Sequence, residues 1–172
     1  LHPVGAQGRN GCPLARVEGN KIIVLDEVHF ATDQDVVLPE SFPILEEVAE
    51  QLLAHEEIHR LLVEAHTDAR ATDTYNYDLS RRRASSVMNF LLDSGIAVER
   101  LCSAGFGRSR PLTRNDSEAH MALNRRVEFT ILPPGKGPTE PCPVDPALEH
   151  LAPGKKPSRG KKSDAAPFAP MN

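Results

Sequence analysis

Residues 63–87 read VEAHTDARATDTYNYDLSRRRASSV, and they place an apolar run, a polar loop and an arginine-rich segment in direct succession. The apolar run ends at Thr67 and Asp68, and helical apolar spacing begins at Leu79 and continues to Val87. This pattern predicts a strand that ends in a carboxylate, followed by a helix that carries three consecutive arginines. Asp68 is a candidate site residue, because ligands commonly bind at the carboxyl ends of strands in α/β sheets.

The three arginines point in different directions around the predicted helix. Successive helical residues are about 100° apart, so Arg81, Arg82 and Arg83 cannot share one face. Arg83 is four residues after Leu79, which puts it on the inward-facing stripe, and its two neighbours are expected on more exposed faces. An inward-facing arginine needs a partner. Charge chemistry alone leaves two interpretations open: a two-charge clamp for a ligand, or a plain Asp68–Arg83 salt bridge.

Hydrophobic periodicity predicts the order strand–helix–strand–helix–strand–strand along the chain. The predicted strands cover residues 21–30, 58–65, 98–106 and 127–132. One helix is predicted to start near Ser41, because Pro43 fits only a first turn, and a second to span residues 76–94, where Gly95 is a stop signal. One further helical turn is expected near residues 118–123. Two crossovers make the first three strands parallel, with both helices on one face, so the fold class is a two-layer α/β or α+β sandwich.

Composition divides the 172 residues into three parts. Residues 1–20 are predicted to be an irregular linker, and residues 21–132 hold the predicted domain. Residues 133–172 contain ten of the 15 prolines and the run GKKPSRGKK, which predicts a disordered tail. The net charge is −4, and the acidic domain argues against nucleic acid as a partner. No run approaches the 18 apolar residues of a membrane span, and a chain that begins with Leu would not display a signal peptide.

His55, Glu56 and His59 match the HExxH pattern, in which two histidines on consecutive helical turns bind zinc and the glutamate is the base. The match requires the first helix to continue to residue 59, but its apolar stripe ends at Leu53. A third ligand is also missing at the spacing of the extended pattern. We therefore predict a helix end followed by a strand, with no metal or cofactor, and a zinc peptidase remains an alternative.

Four segments resemble the OmpA-like family of domains, which includes the OmpA, MotB and Pal domains. They cover about residues 20–132, in the family's order and at its spacing: VHFATDQDVVLPES, VEAHTDARATDTYNYDLSRRRASSV, GIAVERLCSAGFGRSRP and NRRVEFTI. The resemblance implies a βαβαββ fold with a four-stranded mixed sheet. In this fold the fourth strand lies between the first and the second and is antiparallel to both.

The resemblance also implies a binding site. In this family one aspartate and one arginine grip the ammonium and the carboxylate of diaminopimelate, and the matching residues here are Asp68 and Arg83. The other matching positions are expected to line or support the same pocket: Thr67, Asn76, Leu79, Ser80 and Arg126. The family usually has glycine where this chain has Ala65 and Ala71. A positive φ at Ala71 would be unfavourable without glycine.

The resemblance further implies a non-catalytic, periplasmic domain of an outer-membrane-associated protein. Such a domain binds peptidoglycan through the meso-diaminopimelate of the stem peptide and tethers the outer membrane to the cell wall, here through an anchor upstream of this chain. A homodimer stays open. The alternative is a structural module that has lost the ligand, with Asp68–Arg83 as an internal salt bridge. A hydrolase is not indicated, because Ser85 and Ser86 lie in mid-helix without a visible general base.

The three cysteines show no metal-ligand spacing. Cys12 precedes the first predicted strand and Cys142 follows the fourth, and the antiparallel pairing of those strands would bring the two cysteines together. We expect a Cys12–Cys142 disulfide in an oxidising compartment, with free thiols as the alternative. Cys102 lies in the apolar third strand and is expected to be a buried thiol.

Overall fold

A computed structural model describes residues 12–135, 140–143, 148 and 151. Its strands and helices in chain order are β1 (Ala15–Glu18), β2 (Lys21–Val24), α1 (Phe42–Ala54), β3 (Leu61–His66), α2 (Asp73–Asp93), β4 (Leu101–Gly107), α3 (Glu118–Asn124) and β5 (Arg126–Ile131). Short 3₁₀ turns precede α1 and β4, at Pro39–Ser41 and Val98–Arg100. No helix within the described ranges is long and apolar enough to cross a membrane.

The strands form one mixed sheet in the order β1-β2-β5-β3-β4. β5 lies between β2 and β3 and is antiparallel to both, while β3 and β4 are parallel. The predicted fold class and the insertion of the last strand are confirmed. The predicted count of four strands is wrong, because β1 pairs with β2 and adds a fifth.

β1 lies within residues 1–20, which were assigned to an irregular linker. Gly19 has a φ of 59° and begins the two-residue turn that joins β1 to β2. Burial alternates along β1, since Ala15 is fully buried and Arg16 is exposed. Four residues are too few to show a reliable alternation of apolar and polar side chains, so the sequence pattern did not predict β1. The segment is a strand because it pairs with β2.

β2 ends at Val24, although residues 21–30 were predicted to form one strand. The Asp26 carboxylate accepts a hydrogen bond from the next backbone N–H at 2.8 Å, and the chain bends there. Val28 is nevertheless buried and Phe30 packs against the core. The apolar alternation therefore continues past the strand because the following loop also covers the core.

The start of α1 and the end of α2 agree with the sequence prediction, whereas α2 begins at Asp73, three residues earlier than predicted, because the Thr72 hydroxyl caps it. α1 begins after Ser41, with Pro43 in its first turn, and Gly95 follows the end of α2 with a φ of 96°. α3 is the helical turn expected near residues 118–123. The predicted third strand begins later than expected, because Val98–Arg100 forms a 3₁₀ turn.

The HExxH match does not lie on one helix. α1 ends at Ala54, and His55 is its C-cap residue, so His55 and His59 do not occupy consecutive helical turns. His55 Nδ1 instead contacts Glu57 Oε1 at 2.7 Å. The residues that the structure describes contain no cluster of three or more His, Cys, Asp or Glu side chains that could hold a metal. The helix end predicted at this position is confirmed.

Both helices pack on the same face of the sheet, where their buried side chains form one apolar cluster with the strands. α2 lies very close to β4, since a Cβ on Gly105 would come within 2.2 Å of the backbone nitrogen of Arg81. The Ser80 hydroxyl accepts a hydrogen bond from the N–H of Gly107 at 2.9 Å and joins the same two elements. These contacts set the position of the helix that carries Arg83.

The opposite face of the sheet carries a smaller apolar cluster, formed by Leu62, Cys102, Ala104 and Phe106. Cys102 is bonded to Cys142 with a Cα–Cα distance of 5.5 Å, and Cys12 is an exposed free thiol. The predicted Cys12–Cys142 pair and the free Cys102 thiol are therefore wrong. The reason is topological: Cys12 adjoins β1, and β1 and β4 lie at opposite edges of the sheet.

Part of the predicted tail contacts the domain. Cys142 and Leu148 pack against the second apolar cluster, so the start of residues 133–172 is held on the sheet. Most of the predicted tail, including GKKPSRGKK, and most of the predicted linker lie outside the described residues. The disorder of the tail stays a prediction.

Candidate ligand-binding pocket

A pocket of about 650 Å³ opens at the end of β3, beside the first turns of α2 and the start of β5. Six of the seven residues predicted for the site line it: Thr67, Asp68, Asn76, Leu79, Arg83 and Arg126. Ser80 is not among the lining residues. Its hydroxyl donates to the Tyr77 carbonyl and accepts from Gly107, so it holds α2 against β4. The fold thus brings together two charged side chains that are 15 positions apart in the chain.

Asp68 provides the acidic side of the pocket, and its carboxylate is already hydrogen bonded. The side chain is 6% exposed. Arg70 donates to Oδ1 from its backbone N–H at 2.9 Å, and to Oδ2 from Nε at 3.0 Å and Nη2 at 2.7 Å. Arg125 Nη1 donates to the same Oδ2 at 2.7 Å. Burial would raise the pKa of Asp68, but the hydrogen bonds from the two arginines outweigh it and hold the pKa below its ordinary value.

The two arginines also contact a second carboxylate, on α3. Arg125 Nη2 donates to Glu118 Oε1 at 2.6 Å, and Arg70 Nη1 lies 3.6 Å from Glu118 Oε2. Asp68, Arg70, Glu118 and Arg125 therefore form a cluster with no net charge. We call these four residues the acidic-side cluster.

Sequence reasoning missed Arg70 and Arg125 as part of the site. Arg70 is two residues after Asp68, a spacing at which an aspartate commonly accepts a hydrogen bond from the backbone. Arg125 is the residue before Arg126 in NRRVEF, and only Arg126 was predicted as a site residue. Nothing local connects Arg125 to Asp68, because 57 positions separate them.

Arg83 provides the basic side of the pocket, and the protein holds its guanidinium through Nε. Nε donates to the Gln34 carbonyl at 2.8 Å, and the guanidinium carbon lies 4.8 Å from the centroid of the Phe30 ring. Among the described residues, neither Nη nitrogen has a hydrogen-bond partner. Burial lowers the pKa of Arg83, and the charge of Asp33 opposes this shift. The free ends of a fixed guanidinium fork are complementary to a carboxylate.

The other two arginines of α2 have protein partners away from the pocket. Arg81 Nη2 contacts Asp78 at 3.1 Å. Arg82 Nε contacts Asp78 at 2.8 Å, and its Nη1 lies 3.3 Å from Asp35. Of the three consecutive arginines, Arg83 is the one that lines the pocket.

The salt bridge considered as an alternative, Asp68–Arg83, does not form within the described part of the chain. Asp68 is paired with Arg70 and Arg125, and Arg83 is bonded to the Gln34 carbonyl. The two charges therefore face a common pocket without neutralising each other.

The remaining lining residues fix the backbone around Asp68. The Asn76 amide donates to the carbonyls of Arg70, at 2.6 Å, and of Asp68, at 3.3 Å. The Thr67 hydroxyl also donates to the Asp68 carbonyl, at 3.0 Å. Arg126 donates to two carbonyls of the segment before β5, so its guanidinium supports the wall of the pocket. The site thus combines a carboxylate on the loop after β3 with a guanidinium on helix α2, and each is held by its own set of contacts.

The two alanines at the family's glycine positions behave differently. Ala65 is buried in the helix-side core, where its methyl group packs against neighbours. Ala71 has a φ of 66°, so the loop keeps the left-handed conformation that glycine would favour. Such a conformation costs a residue with a side chain roughly 1–2 kcal/mol.

The chain belongs to the OmpA family, whose model matches residues 29–125. The matched segment contains β3, β4, both long helices, and the Asp68 and Arg83 sides of the pocket. The five-stranded mixed sheet with helices on one face is the fold of an OmpA-like domain.

Individual relatives agree with this membership. The outer membrane porin F of Pseudomonas fluorescens is 38% identical over 105 residues, which cover 61% of this chain and 32% of that protein. The outer membrane protein A of Bordetella avium is 31% identical over 135 residues, which cover 74% of this chain and 69% of that protein. The chain therefore spans about a third of the porin and about two thirds of the second protein.

A solved structure supports the same assignment. The peptidoglycan-associated lipoprotein of Burkholderia pseudomallei superposes with a TM-score of 0.56 and is 28% identical, over 60% of this chain and 87% of that structure.

Proposed function

We propose that this chain is a non-catalytic peptidoglycan-binding domain that grips the diaminopimelate of the stem peptide between Asp68 and Arg83. In this proposal the domain lies in the periplasm and tethers the outer membrane to the cell wall, through an anchor outside this chain. The observation that carries the proposal is the pocket itself, which is lined by both the Asp68 carboxylate and an Arg83 side chain that is held through Nε.

The chemistry of the pocket favours a ligand with both an ammonium and a carboxylate. The open Nη nitrogens of Arg83 suit a carboxylate, which can accept two parallel hydrogen bonds from them. Hydrogen bonds from Arg70 and Arg125 hold the pKa of Asp68 below its ordinary value, and a charged carboxylate attracts an ammonium. The far end of meso-diaminopimelate carries both groups, whereas a lysine side chain carries the ammonium alone.

The relatives support the cell-wall part of the proposal. One similar solved structure is named as a peptidoglycan-associated lipoprotein, and two curated relatives are named as outer membrane proteins. Membership of the OmpA family makes peptidoglycan the expected partner of the pocket.

A second candidate is a structural module that has lost the ligand. One observation favours it: the Asp68 carboxylate is already bonded to Arg70 and Arg125 without a ligand. In this candidate Asp68 would stabilise the loop and would receive no ammonium.

Sedimentation with purified sacculi separates the two candidates. We expect the chain to sediment with sacculi whose stem peptides contain diaminopimelate, and free meso-diaminopimelate should compete it off. Nα-acetyl-lysine amide, which carries the side-chain ammonium but no free carboxylate, should not compete, and sacculi with lysine in the stem peptide should bind poorly. If the chain sediments with neither kind of sacculi, the result would support the second candidate.

Two variants make this experiment specific to the pocket. Arg83→Ala should abolish sedimentation. Arg81→Ala changes an arginine two positions earlier on the same helix, which does not line the pocket, and should sediment like the wild type. Equal binding to both kinds of sacculi would indicate nonspecific adhesion. Turnover of sacculi by the wild type would contradict a non-catalytic role.

A further inference from the structure

The acidic side of the pocket poses a problem for any ligand that carries an ammonium. Both oxygens of Asp68 are in use: one accepts the Arg70 N–H, and the other accepts two Arg70 side-chain bonds and one from Arg125. The side chain is 6% exposed, so an incoming ammonium has little open surface to approach. An ammonium can therefore reach Asp68 only if at least one guanidinium leaves.

The two arginines are not equally free to leave. The Arg125 side chain is 31% exposed, and each of its Nη nitrogens is bonded, one to Asp68 at 2.7 Å and one to Glu118 at 2.6 Å. The Arg70 side chain is 59% exposed, and its second contact, to Glu118, is 3.6 Å long. Arg70 is thus the more loosely held of the two arginines.

Departure of Arg70 would leave the rest of the loop in place. The backbone N–H of Arg70 still donates to Asp68 Oδ1, and the Arg70 carbonyl still accepts from Asn76 at 2.6 Å. Glu118 is 67% exposed and gives the released guanidinium a nearby carboxylate. The side chain can therefore swing while the backbone that positions Asp68 stays fixed.

We propose that the Arg70 side chain is a displaceable latch that occupies the ammonium subsite and competes with the ligand for Asp68. This inference rests on the proposed function, because it requires a ligand that carries an ammonium. The latch keeps a buried carboxylate paired when the pocket is empty, since an unpaired buried charge is costly. It also weakens binding, because each ligand must replace two hydrogen bonds that the protein already makes.

The latch predicts a gain of affinity when the side chain is removed. Arg70→Ala should bind free meso-diaminopimelate about fivefold more tightly than the wild type, because one partly exposed ion pair changes an equilibrium by about that factor. Without ligand the variant should melt at a lower temperature than the wild type, since Asp68 loses one of its two partners. Its melting temperature should then rise further than that of the wild type when ligand is added.

The test is calorimetric titration and thermal melting of the 172-residue chain with free meso-diaminopimelate. Arg108→Ala is the matched control: it removes one positive charge from a partly exposed arginine that pairs with Asp73 and does not line the pocket, so its affinity should equal that of the wild type. Arg70→Lys keeps the charge but loses the two-point contact, and it should fall between wild type and Arg70→Ala.

The outcomes separate this inference from the function on which it rests. Tighter binding by Arg70→Ala supports the latch, and so does binding by Arg70→Ala alone when the wild type shows none. Unchanged or weaker binding by Arg70→Ala, with a wild type that binds, overturns the latch and leaves the proposed function standing. If neither protein binds diaminopimelate, both the latch and the proposed function are wrong.

Discussion

The two sides of the pocket are prepared for a ligand in opposite ways. At Arg83 the protein contacts Nε, through the Gln34 carbonyl, and the face of the guanidinium, through the Phe30 ring. The two Nη nitrogens have no hydrogen-bond partner among the described residues. At Asp68 the protein binds both oxygens of the carboxylate itself. The difference follows from burial: a nearly buried carboxylate needs partners at all times, whereas a partly exposed guanidinium can keep its ends in water. Under the proposed function, the carboxylate of the ligand would therefore meet a preformed partner, whereas its ammonium would bind only after Arg70 leaves.

The largest expected effect comes from removing the acidic side. Asp68→Ala takes away the acceptor for the ammonium and leaves Arg70 and Arg125 without that partner. A buried charge without its partner costs roughly 2–5 kcal/mol, or about 30-fold to a few thousand-fold in affinity. Sedimentation with sacculi should therefore fall below detection. Asp78→Ala is the control, because Asp78 also pairs with two arginines but lies outside the pocket. Equal binding by the two variants would show that Asp68 does not bind the ligand.

The basic side should be more sensitive to geometry than to charge. Arg83→Lys keeps a positive charge but loses the planar fork and the bond to the Gln34 carbonyl. We expect affinity for diaminopimelate to fall about tenfold to 100-fold, because hydrogen bonds to charged groups contribute about 1.5–3 kcal/mol. Melting should change little. Arg81→Lys makes the same substitution outside the pocket and should bind normally; a wild-type affinity for Arg83→Lys would contradict a two-point contact.

The loops on the two sides also differ in backbone strain, and thermal or chemical unfolding can measure this. Ala71 on the acidic side and Asp33 on the basic side have φ values of 66° and 54°. Aspartate tolerates this conformation better than alanine does. Ala71→Gly should raise the free energy of unfolding by about 0.5–1 kcal/mol, after the entropy cost of glycine is included. Asp33→Gly should change it by less; the reverse order would show that loop strain does not distinguish the two sides.

The smallest effect should come from the ring beneath Arg83. Phe30→Leu removes the contact between the guanidinium and the aromatic ring, which is worth about 0.5–1 kcal/mol at exposed sites. Titration should show about twofold to fivefold weaker binding of diaminopimelate. Phe42→Leu is a matched control, since it removes an aromatic ring that packs against Phe90 at a tilted angle, away from the pocket. Equal losses in both variants would attribute the effect to general packing.

Features that depend on local period were predictable from the sequence. The start of α1 and the end of α2 follow from apolar stripes and from Pro43 and Gly95, which act through their own backbones. The placement of Arg83 in the pocket follows from its position on the stripe of α2, because helical geometry fixes direction within one turn. Asp68 was found because it lies at the predicted end of a strand and matches the family's aspartate.

Features that depend on pairing between distant segments needed the tertiary structure. β1 exists because it pairs with β2, and Cys142 bonds Cys102 rather than Cys12 because the chain returns over β4, at the sheet edge away from β1. The bond between Arg125 and Asp68 joins residues 57 positions apart. A sequence determines which groups carry charge and which face they take along one element. Which charges meet across elements is decided by packing, because burial makes a carboxylate take the partner that the fold brings within reach.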